Sequence, residues 1–74
     1  MPDLIEKIKT AIGEIYEENK KTALSRKELT DLVIKKLANG EIDDELILLV
    51  IEKMILETEL MEQHDGKVVP YQFP

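Results

Sequence analysis

Leu24-Ser25-Arg26-Lys27-Glu28-Leu29 decides how the chain is divided. Ser25 followed three residues later by Glu28 is a capping box, in which the hydroxyl accepts from the N3 amide and the carboxylate accepts from the cap amide. Leu24 and Leu29 stand at the N′ and N4 positions, the arrangement of a hydrophobic staple. A helix therefore begins at Arg26. It turns Leu29, Leu32, Val33 and Leu37 toward a core, places Lys35 and Lys36 at its negative end, and stops at Asn39-Gly40, which suits a left-handed cap. Thr22 to Leu24 reads as a short extended approach to it.

Upstream, Leu4, Ile5, Ile8, Ala11, Ile12, Ile15 and Tyr16 recur at helical spacing, which predicts a first helix from Pro2 to about Asn19. Pro2 suits the first turn, where its missing N–H costs nothing, and Asp3 and Glu6 complement the positive helix end. Gly13 lies beside the apolar face as a weak spot of about 1 kcal/mol relative to Ala, or as a close helix contact. Downstream, Asp43 is the expected N-cap of a third helix, with Asp44 and Glu45 in its first turn and Ile42 and Ile47 as a second staple. Ile47, Leu48, Val50, Ile51, Met54 and Ile55 share one broad face of that helix. Ile42, Leu46, Leu49, Leu56 and Leu60 trace a second stripe elsewhere on it.

After Leu60 the period changes. Asp65-Gly66 suits a type I′ turn, which predicts a hairpin pairing Gln63 with Val68 and Glu62 with Val69. Leu60, Val69, Tyr71 and Phe73 then share the inner face. Pro70, which lacks an amide donor, marks an edge strand. The expected fold class is mainly α with a small β-hairpin, and residues 1–74 form a single domain.

That order of elements, with the Leu24 to Leu29 start of the second helix and the Leu60 to Phe73 hairpin as a wing, resembles the winged-helix variant of the helix-turn-helix fold. The resemblance spans nearly the whole chain and implies a three-helix winged-helix-like domain. In that superfamily the third helix usually enters the DNA major groove and the wing touches a phosphate or the minor groove, while many members bind only proteins. Fold alone does not choose between these uses.

The composition narrows the choice. With 74 residues the chain has room for one compact core and none for a deep, shielded substrate cavity. It has no cysteine, so disulfides, thiolate zinc sites and thiol nucleophiles are excluded. No apolar run approaches a membrane span, and Met1-Pro2-Asp3-Leu4 lacks the basic and apolar regions of a signal peptide, so a soluble, cytoplasmic domain is expected. The single histidine, His64, sits by a hairpin tip, and the single serine is spoken for by its cap. No catalytic residues, no metal, no cofactor and no small-molecule substrate are therefore expected, and the chain is read as not an enzyme.

Charge is distributed unevenly. Residues 1–40 carry eight basic and seven acidic side chains, a net of +1, whereas residues 41–74 carry two and nine, a net of -7. The acidity falls on the third helix and wing, the elements that face a duplex in the usual docking mode. The third helix also lacks Arg, Asn and Gln for base edges. The expected function is a protein-interaction module, self-associating or docked on a larger protein through Ile42, Leu46, Leu49, Leu56 and Leu60. The alternative is a DNA-binding transcriptional regulator touching phosphates through Lys20, Lys21, Arg26, Lys27, Lys35 and Lys36. The flanking charge is mainly acidic, so a membrane partner is not expected.

Overall fold

A computed structural model describes residues 3–37 and 42–71. It contains three helices, α1 (Leu4–Glu18), α2 (Arg26–Leu37) and α3 (Asp44–Leu56), then a two-stranded antiparallel hairpin, β1 (Leu60–Glu62) and β2 (Val68–Pro70). The chain is thus mainly α with a small β-hairpin.

Each helix start is held by a side chain, at α2 and α3 by the expected caps and at α1 by Asp3, which was expected inside the first turn. Ser25 Oγ accepts from the Glu28 amide at 3.1 Å and Glu28 Oε1 accepts from the Ser25 amide at 3.0 Å, so the capping box of α2 is closed in both directions. The Ser25 amide holds the Glu28 carboxyl below its usual titration range. Asp43 caps α3 by accepting from the Leu46 amide at 2.9 Å. Asp3 does the same for α1, accepting from Glu6 at 2.8 Å. The first helix therefore begins at Leu4, one residue beyond its acidic cap, and the first-turn placement of Pro2 lies outside the described residues. So does the Asn39-Gly40 stop.

The first helix ends at Glu18 with Asn19 as its C-cap, close to the expected Asn19, but the way α1 and α3 are capped was not anticipated. After α1 the Lys20 and Lys21 amides donate to Glu17 and Tyr16 carbonyls at 3.4 and 2.7 Å, and after α3 the Thr58 and Glu59 amides donate to Ile55 and Met54 at 3.1 and 2.8 Å. These are two Schellman caps. The left-handed position of such a cap favours glycine, yet it is filled by Lys20 at φ 56° and by Thr58 at φ 59°.

The hairpin register differs by one residue from the expected one. Leu60 pairs with Pro70, Met61 with Val69 and Glu62 with Val68. The Gln63 amide donates to the Lys67 carbonyl at 2.8 Å and the Gly66 amide to the Gln63 carbonyl at 2.9 Å, which leaves a three-residue loop with Gly66 at φ 87°. This is a turn followed by a left-handed glycine rather than a two-residue type I′ turn. Because strand side chains alternate, the shift exchanges the faces: Val68 is fully buried and Val69 only half-buried. The outer side of β2 is also partly occupied. Leu24 and Val68 exchange two backbone hydrogen bonds of 3.0 and 2.7 Å, so β2 lies between the Leu24 segment and β1. Pro70 falls two residues on, where its missing N–H faces the side on which that pairing has ended.

Ile8, Ile12, Ile15 and Tyr16 of α1 meet Leu29 and Val33 of α2 and Ile47, Val50, Ile51 and Met54 of α3 in one core, closed by Ile42, Leu60 and Val68. Leu32 and Leu37 are half-buried at its margin. Thr30 is buried with them, its hydroxyl without a hydrogen-bond partner among the described residues.

Candidate functional site

The five apolar positions expected to form one exposed stripe on α3 separate into three environments. Ile42 is 7% exposed and Leu60 3%, and both belong to the core. Ile42 lies just before the N-cap and folds inward like Ile47, the residue expected to staple it; Leu60 opens β1 on the face shared with buried Val68. Neither is available to a partner. Leu46 is half-buried against the core. Leu49 and Leu56 remain, 67% and 83% exposed.

Leu49 and Leu56 are seven residues apart, two turns, and so line up on the solvent side of α3 about 10 Å from one another. Glu45 lies one turn before Leu49, and Glu52 and Lys53 occupy the turn between the leucines, all three exposed. Leu48, expected on the core face, adds to this surface at 37% exposure. It lies about 100° around the helix from Ile47, and the neighbouring elements cover a narrower arc than the apolar run of α3. The core-facing arc buries Ile47, Val50, Ile51 and Met54, with Leu46 and Ile55 partly buried against the same core. Periodicity alone could not have separated Leu48 from them. Among the described residues, Ile34, Met61 and Tyr71 are further large apolar side chains with exposed surface.

The basic residues expected around the second helix also divide. Arg26 is held between two carboxylates: its Nη2 and Nε lie 2.5 and 2.9 Å from Glu52 Oε1, and its Nη1 lies 2.7 Å from Glu62 Oε2. One guanidinium thus ties the start of α2 to the middle of α3 and to β1. Hydrogen bonding to Arg26 holds the Glu62 carboxyl below its usual range. Lys36 reaches Glu18 at 2.9 Å and Glu14 at 3.6 Å on α1, and the hydrogen bond to Glu18 raises its pKa. A phosphate would have to displace those carboxylates to use either cation. Lys20, Lys21, Lys27 and Lys35 are exposed. A third cation, Lys9, bridges Glu57 and Glu59 at 3.3 Å each and fastens α1 to the link between α3 and β1.

His64 is exposed within the three-residue hairpin loop, and Ser25 is occupied in its cap. Among the described residues, no three His, Asp or Glu side chains are grouped so as to hold a metal ion, and no helix is long and apolar enough to cross a membrane. The geometry thus offers a leucine-bearing helix face bordered by carboxylates. Comparison with protein-family models, curated proteins and solved structures found no match to this chain.

Proposed function

We propose that the chain is a non-catalytic interaction module of winged-helix type that works in the cytoplasm and binds protein through the exposed face of α3. The observation that carries this is the exposure of Leu49 and Leu56 on a helix whose opposite side is core. Two unshielded leucines two turns apart are a common way for a helix to seat a second helix. The same surface is poorly suited to a duplex, because α3 presents Asp44, Glu45 and Glu52 where phosphates must be neutralised. DNA binding is the alternative, and it keeps Lys20, Lys21, Lys27 and Lys35 as exposed cations.

The test is sedimentation equilibrium together with photo-crosslinking from position 49 and, as a control, from Lys7 on α1. The interaction module yields a concentration-dependent dimer lost in Leu49→Glu, or a defined crosslink from position 49 and none from position 7. A monomer that crosslinks to nothing from position 49 overturns it. Retention on duplex DNA at low salt, weakened by reversing Lys27 and Lys35, decides for the alternative.

A further inference from the structure

The charges around the α3 leucines restrict what can cover them. Between Asp43 and Glu62 the chain carries seven carboxylates and one cation, Lys53. Other elements bring only Lys9 and Arg26 to this region among the described residues, each shared by two carboxylates. The surface beside Leu49 and Leu56 is therefore anionic in excess, and most so toward the helix N-terminus, where Asp44 and Glu45 are exposed.

A second copy is a poor cover. In an antiparallel pair the twofold axis keeps each edge of the helix on its own side, so the Glu45 and Glu52 edge of one chain meets the same edge of the other. Like charges brought together at a closing interface are destabilising. A parallel pair would set Glu52 against Lys53 of the second copy, but Glu52 is already bonded to Arg26. An anionic lipid surface or a nucleic acid meets the same carboxylates unfavourably.

We infer that the exposed face of α3 receives an amphipathic helix from another protein whose apolar stripe is flanked by Lys or Arg. This rests on the protein-binding role proposed for α3 and specifies its partner. The partner's apolar residues cover Leu48, Leu49 and Leu56, and its cations answer the exposed Glu45. Apolar burial supplies the affinity, and the carboxylates supply selection and speed of encounter.

The experiment titrates the isotopically labelled full chain with a synthetic four-turn leucine–lysine amphipathic peptide and with a leucine–glutamate peptide of the same pattern, following backbone amides by NMR. The expected result is saturable shifts centred on Leu48, Leu49, Lys53 and Leu56 with the lysine peptide and none with the glutamate peptide. Affinity falls about tenfold in Leu49→Ser and also in Glu45→Lys, which alters no buried group, and it weakens with added salt. Equal response to both peptides, or shifts centred elsewhere, overturns the inference. A dimer lost in Leu49→Glu with no peptide response also overturns it while leaving the protein-binding role intact, whereas absence of dimer, crosslink and peptide response removes both.

Discussion

The phenol of Tyr16 donates to the carbonyl of Val68 across 2.6 Å, joining α1 to β2 over 52 residues of sequence. The same carbonyl accepts the Leu24 amide at 3.0 Å, so one oxygen gathers the first helix, the approach to the second and the hairpin. Tyr16→Phe removes the phenolic bond but leaves the carbonyl with Leu24, so the cost should stay near about 1 kcal/mol. Urea unfolding should show a lower midpoint with an unchanged slope.

The same phenol introduces a pH dependence. Burial pushes its pKa from 10.0 up to about 12. In that interval the unfolded chain ionises while the folded chain keeps its proton, so stability is intact below the lower value and declines as pH rises toward the upper one. Wild type should lose stability over this window relative to Tyr16→Phe, and equal slopes for the two would show that the phenol is not held protonated.

Local signals carried the fold and long-range pairings carried the corrections. Ser25 and Glu28 are three residues apart and interact with one another's backbone, so their role is legible before any tertiary structure exists. The hairpin register is settled elsewhere. Asp65-Gly66 is compatible with loops of two or three residues, and the pairing that buries Val68 rather than Val69 depends on Leu24 and Tyr16, both distant in sequence. The apolar pattern of α3 likewise shows which residues are hydrophobic, not how wide an arc α1, α2 and β1 cover. The basic cluster looked like a surface available to phosphate because Glu52 and Glu62 lie 26 and 36 residues from Arg26.

Thr58 offers a stabilising change. A β-branched side chain at φ 59° sits in a region suited to glycine, and the amides around it already make the Schellman hydrogen bonds. Thr58→Gly should relieve the backbone by about 1 kcal/mol, less a part returned as greater freedom of the unfolded chain. Lys20→Gly should act in the same direction, and the two should add because they end different helices. Thermal unfolding of the single and double variants checks both the sign and the additivity.

Gly13 provides a control of opposite logic. It lies inside α1 with ordinary helical backbone, and a Cβ added there meets nothing within 4 Å. No close helix contact explains it. Gly13→Ala should therefore gain about 1 kcal/mol from helix propensity. A loss instead would mean that another molecule approaches the helix backbone at this point.

The Arg26 cluster should respond to acid. Its hydrogen bond keeps the Glu62 carboxyl ionised to lower pH than in the unfolded chain, so the stabilisation is present above the ordinary carboxylate range and is lost as pH falls from that range through the lower value of the folded chain. Arg26→Gln should flatten that part of the stability curve. It should also loosen β1 from α3, seen as faster amide exchange at Met61 and Glu62.

The partition of the α3 stripe makes the sharpest contrast, because residues alike in sequence are placed so differently. Leu60 is 3% exposed at the start of β1, and Leu60→Ala should cost about 2–4 kcal/mol through lost burial and the cavity it leaves. Leu56, four residues earlier, is 83% exposed, and Leu56→Ala should change stability by less than about 0.5 kcal/mol. The same substitution should nevertheless weaken whatever binds α3, since removing the side chain takes apolar area from the interface alone. Unfolding midpoints and peptide affinity measured on both variants separate the two roles. A large stability loss in Leu56→Ala would mean that this side chain is covered within the chain itself, and the docking face would then shrink to Leu48 and Leu49.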